Sequence, residues 1–197
     1  MKKISWMMAA LLTCTACVPI PQHFYMPVRG QGRILHSYCN PHLVEGVAFT
    51  REGVEINVTM GRNHGRDYVQ IWFQVPGGKT LLLQEHSIWV SRNGSAPQES
   101  PFPNVSPSDR PIVNSYSTDP RWQKEMLPVT AALVGATTRE GSITSDRNFW
   151  IAAYVNPDKA SDIWVRLPRF TVNGTPVAIA PIHLERRLDV LIAKFNC

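Results

Sequence analysis

Val54-Glu55-Ile56-Asn57-Val58-Thr59 and Tyr68-Val69-Gln70-Ile71-Trp72-Phe73-Gln74-Val75 alternate apolar and polar side chains with period two. Successive side chains of a strand point to opposite faces, so each segment has one face for a core and one wetter face. Valine, isoleucine and aromatic residues suit that pleated surface. The turn between them, Gly61-Arg62-Asn63-His64-Gly65-Arg66-Asp67, is polar and glycine-flanked, as a hairpin connection requires.

Working outward, strands are expected at 79–84, 86–91, 130–136, 148–155 and 162–167, and over 169–180 with a break near Asn173-Gly174. Glu52-Gly53, Pro76-Gly77-Gly78, Asn93-Gly94, Glu140-Gly141 and Asn173-Gly174 supply the turns. Short strands, glycine turns and no helical stretches between them predict an all-β fold, an antiparallel β-sandwich of immunoglobulin-like architecture. The Cys…Trp…Cys spacing of antibody domains is missing, so the likeness is one of architecture.

Two regions break the pattern. Residues 92–128 carry seven prolines among serines and asparagines and read as one long connection, whose removal over 100–125 is expected to leave the fold intact. At the C-terminus, Leu184, Leu188, Leu191, Ile192 and Phe195 fit helical spacing, while Leu188, Val190 and Ile192 fit a strand. Strand is preferred, because it returns Cys197 toward Cys39 at the domain edge.

The N-terminus has a different character. Lys2 and Lys3 precede an apolar run, Ile4 to Leu12, that is too short to span a bilayer. Ala16 stands just before Cys17, and residues 1–16 read as a secretion signal. The four residues Cys14-Thr15-Ala16-Cys17 resemble the lipobox of bacterial lipoproteins, in which the cysteine becomes the acylated first residue. Thr15 and Ala16 fit it, and Cys14 stands where an aliphatic residue is usual. Cleavage before Cys14 is the rival and would place Thr13 before the cut. The resemblance implies lipid, palmitate included, on Cys17. With Val18 rather than aspartate next, it also implies the outer membrane, facing the periplasm.

Cysteine counting supports the Cys17 assignment. With Cys17 acylated, Cys39 and Cys197 remain, and they form one disulfide in the oxidising envelope with no thiol left over. Residues 17–33, with Pro19, Pro21 and Pro27, read as a lipid-anchored tether, and 34–197 as one sandwich domain.

Removing residues 1–16 lowers the formal charge from +5 to +3, and no basic run tracks a phosphate backbone, which argues against nucleic acid. Gly77-Gly78-Lys79-Thr80 ends like a P-loop, but Phe73 stands where that motif needs its first glycine and a strand follows. Cys39-Asn40-Pro41-His42 has no partner pair at zinc spacing, and no metal or cofactor is expected. No Gly-x-Ser-x-Gly or His-Glu-x-x-His occurs.

Arg62, His64, Arg66 and Asp67 offer cations, an imidazole and a carboxylate in one turn, and a solvated hairpin tip is the simpler account. Trp72 points away from the core face of its strand, toward either a second small core under the long loop or a partner. Arg121 and Trp122 offer contacts within that loop. The expectation is a non-catalytic envelope lipoprotein that contacts a protein partner in assembly, secretion support or toxin neutralisation. The alternative is a periplasmic hydrolase or small-ligand-binding protein using His64 or His86 with loop carboxylates.

Overall fold

The computed structural model describes residues 20–36, 44–63, 65–107, 126–137 and 144–191. In chain order the strands are β1 (Ile20–Pro27), β2 (Arg33–His36), β3 (Val44–Arg51), β4 (Val54–Asn63), β5 (Arg66–Val75), β6 (Thr80–Leu83), β7 (Ser87–Arg92), β8 (Gln98–Pro101) and β9 (Asn104–Pro107). They continue as β10 (Leu127–Pro128), β11 (Leu133–Val134), β12 (Ala136–Thr137), β13 (Thr144–Ser145), β14 (Arg147–Val155), β15 (Asp162–Arg166), β16 (Phe170–Val172), β17 (Thr175–Val177) and β18 (Ile182–Leu191). No helix occurs among the described residues.

The fold is an all-β antiparallel sandwich. A seven-stranded sheet runs β10-β9-β14-β5-β4-β3-β2, and a five-stranded sheet runs β1-β18-β15-β7-β8. A smaller sheet, β11-β6-β16-β17, closes one end, and β12 pairs with β13. Val58, Ile71 and Ile151 from the first sheet, Ile88, Val165 and Ile182 from the second, and Leu81 and Phe170 from the third share one hydrophobic cluster. Phe73 meets Phe170 edge to face across it, with ring centroids 5.8 Å apart.

The local signals act as expected. Val69, Ile71, Phe73 and Val75 are buried, and Gln70, Trp72 and Gln74 between them are half-exposed. Glu52-Gly53 and Asn173-Gly174 have positive φ, the conformation that matches a two-residue turn to the twist of its strands, and Asn93-Gly94, also at positive φ, forms a tight turn inside the longer connection from β7 to β8. Gly135 is needed for a different reason, since a Cβ there would lie 1.9 Å from the Pro76 carbonyl oxygen. It forms a bridge with Gly77 and splits the strand expected over 130–136 into β11 and β12.

Two expectations are corrected, and the preference for strand at the C-terminus holds as far as the structure describes it. The tether read over 17–33 is a strand from Ile20 to Pro27, paired residue for residue with β18, so the folded part begins well before Ile34. Its prolines are tolerated because β1 is an edge strand, with one side that needs no donors. The long connection over 92–128 contains β8, β9 and β10, and Phe102 and Val105 are core residues at 1% and 0% exposure. Pro101 and Pro107 end their strands, where a missing N–H costs little, and a cut over 100–125 would remove core rather than spare it. The C-terminal segment is strand as far as Leu191.

Candidate functional site

The turn singled out by sequence is the tip of the β4–β5 hairpin. Arg62 lies opposite Asp67, and Asn63 opposite Arg66. The Arg62 guanidinium donates from Nε and Nη2 to the two Asp67 carboxylate oxygens at 2.9 and 3.2 Å, and this pairing raises the arginine pKa further. Arg66 lies 3.9 Å from the centroid of the Tyr154 ring. The charges of this turn are therefore engaged within the chain, as a structural hairpin tip requires. His64, Arg121, Trp122, Cys17, Cys39 and Cys197 lie outside the described residues.

Trp72 occupies the outward face of the seven-stranded sheet. Asn57, Trp72, Trp150 and Ser106 form one row across β4, β5, β14 and β9. Asn57 is 8% and Trp150 only 3% exposed, so this face is covered. Trp72, half-buried, lies between them in that row. Asn57 Oδ1, Asn148 Oδ1 and Trp150 Nε1 are buried there without a hydrogen-bond partner.

The outward face of the five-stranded sheet differs. On β15, Ile163 and Val165 point into the core, which turns Trp164 and Arg166 outward. Trp164 is 41% exposed and stacks on the imidazole of His183, its direct neighbour on β18, at a centroid distance of 4.3 Å. Asp162 Oδ1 lies 3.7 Å from His183 Nε2, too far for a hydrogen bond. Arg166 stands opposite Trp89 of β7, its guanidinium carbon 5.3 Å from that ring.

Arg166 links this face to the end of the sandwich through Glu85. The Glu85 carboxylate accepts from Arg166 Nη1 at 3.1 Å, from Arg169 Nε at 2.9 Å and from the Arg169 backbone N–H at 2.9 Å. Burial pushes the Glu85 pKa upward, but the backbone hydrogen bond and the two guanidinium groups outweigh it and hold the carboxyl below its usual value. Two cavities flank this node. One, about 460 Å³, is lined by Leu83, His86, Pro101, Phe102, Asn104 and Pro128 among others. The other, about 280 Å³, is lined by Arg166, Leu167, Arg169, Phe170, Val177 and Ile179, and Gln84 borders both.

This arrangement suits recognition. Glu85, the acid beside His86, is committed to two arginines and is not placed to act as a general base. Among the described residues no group of three His, Cys, Asp or Glu side chains is placed to hold a metal ion. Trp164, Arg166, Glu85 and Arg169 are functional candidates that the sequence did not single out, while Trp89 shares with Trp72 and Trp150 a place near the centre of its strand. The alternation of Ile163-Trp164-Val165-Arg166-Leu167 carries the same outward signal that singled out Trp72. The chain matches no protein-family model, no curated protein and no solved structure.

Proposed function

We propose that this protein is a non-catalytic envelope module that binds a protein partner through the outward face of its five-stranded sheet. The carrying observation is Trp164, left 41% exposed on a rigid strand and stacked on His183 beside the Arg166–Trp89 pair. Tryptophan and arginine are the residues most enriched at energetic centres of interfaces, and a sheet holds them at little cost in conformational entropy. Among the described residues no helix is long and apolar enough to cross a membrane. The signal-like N-terminus supports attachment by lipid on Cys17, at the outer membrane, with a Cys39–Cys197 disulfide in the mature chain.

Site-directed photo-crosslinking in intact cells tests the partner surface. A crosslinker at position 164 is expected to trap a discrete protein, while one at Val134, equally exposed at 40% on another sheet, traps none. Identical products from both positions would overturn the assignment. For the anchor, labelled palmitate is expected to enter the wild-type chain and not Cys17→Ser. Free thiol at Cys39 or Cys197 in the native protein would remove the disulfide.

A further inference from the structure

The smaller cavity has the chemistry of a receptor for one particular group. Its walls are the apolar side chains of Leu167, Phe170, Val177 and Ile179, and its two cations are Arg166 and Arg169. Those guanidinium groups share one carboxylate, Glu85, leaving one formal positive charge without a counter-charge in the node. Each guanidinium has five N–H donors, and the Glu85 bonds use only Nη1 of Arg166 and Nε of Arg169. Glu85 also shows that the spacing of the two arginines suits a carboxylate. Arg169, with its side chain 71% exposed, has donors to spare for a second one.

A backbone surface runs beside this cavity. β17 is the edge strand of the small sheet, so one side of it pairs with no described strand. The chain then passes through Ala178, Ile179 and Ala180, outside any strand, before β18 begins. The amides of these three residues donate to no described residue. Ala178 and Ile179 line the cavity, so this segment and the arginines border the same space. An extended chain laid along an open edge, with its terminal carboxylate held at the end, is a recurrent way of recognising a peptide.

We propose that this cavity receives the C-terminal residue of an extended partner polypeptide, an apolar side chain inside it and the terminal carboxylate on Arg169 and Arg166. The inference rests on the protein-partner reading and specifies what part of the partner is held. A space of about 280 Å³ lies at the lower limit for small-molecule pockets and suits the end of a chain, with the rest running along Ala178–Ala180. Pairing along the open side uses alternate amides of that segment, Ala178 and Ala180, since the nitrogen of Pro176 carries no hydrogen.

The test uses the mature protein and fluorescein-labelled hexapeptides ending in leucine or valine, each as the free acid and as the C-terminal amide, read by fluorescence anisotropy. The free acids are expected to bind at least about tenfold more tightly than the amides, the effect of losing a charge-assisted hydrogen-bonded contact. Arg169→Gln should bring free-acid binding down to the amide level while leaving the circular dichroism spectrum unchanged, and Arg62→Gln at the distant hairpin should change neither. Equal binding of acid and amide, indifference to Arg169→Gln, or no binding at about 1 mM peptide would overturn the proposal. Laurate presents a carboxylate on an alkyl chain without amides, and its displacing the peptides at equal concentration would overturn the assignment to a polypeptide end. The crosslink from position 164 separates the two levels. If it persists without peptide selectivity, the groove assignment alone falls; if it is lost, the broader reading falls.

Discussion

The outward faces of the two large sheets carry the same residue type to opposite ends. On the seven-stranded sheet Trp150 is 3% exposed in a row with Asn57, Trp72 and Ser106. On the five-stranded sheet Trp164 is 41% exposed and stacks on His183. A tryptophan at an outward strand position is thus not in itself a binding feature. One of these is buried, and the other keeps a large part of its ring in solvent.

The sharpest way to break this contrast is to truncate both tryptophans. Trp150→Ala is expected to cost about 3–5 kcal/mol in urea unfolding, as a buried aromatic does. Trp164→Ala should cost under about 1 kcal/mol, as surface substitutions generally do. Comparable losses at the two positions would show that the faces are not different in kind.

Glu85 comes next, at the edge of the bare face. Glu85→Gln is expected to lose about 1–2 kcal/mol at pH 7, an amount reduced from that of buried charged hydrogen bonds because Arg169 is largely solvated. The folded carboxyl titrates below its unfolded value, so its stabilisation is present above the unfolded pKa. It fades as pH falls through the folded pKa. The gap between wild type and Glu85→Gln should therefore close as the pH falls through the folded pKa, below the usual carboxylate range, and a gap that widened in acid would contradict the assignment.

His183 sharpens the picture of the exposed stack. Its Nε2 is buried without a hydrogen-bond partner, so His183→Phe should be neutral or stabilise by up to about 1 kcal/mol while keeping the ring stack. A large loss in thermal unfolding would reveal a hydrogen bond through that nitrogen. The smallest effect belongs to the hairpin tip of the covered sheet. A double-mutant cycle on Arg62 and Asp67 should return about 0.2–1 kcal/mol of coupling, weakened by salt. A salt-independent coupling would mean that the pair is more enclosed than its geometry indicates.

Much of the fold was legible because strand burial is a local property. Val69, Ile71, Phe73 and Val75 alternate with polar neighbours, and all four are in the core. Asn93-Gly94 and Asn173-Gly174 turn where they must, since asparagine and glycine adopt positive φ readily. The site was less legible. The polar turn drew attention through composition, yet Arg62 and Asp67 neutralise each other, a pairing visible only once β4 and β5 are in register. Arg166 and Glu85 are distant in sequence and meet only through the fold. The prolines of 92–128 looked like breakers, but Phe102 and Val105 among them are core anchors, because prolines at strand ends leave the residues between free to pack.

The sequence by itself determined the class of fold, the inward and outward residues of the long strands, and the turns joining neighbours, because these depend on side-chain period and on φ preferences within a few residues. It also carried the signal-like N-terminus and the cysteine arithmetic. The tertiary structure alone decided that Ile20–Pro27 is a strand, since its partner β18 lies at the far end of the chain. It alone decided that Trp150 is buried and Trp164 exposed, because exposure depends on what packs over a residue after the sheets assemble.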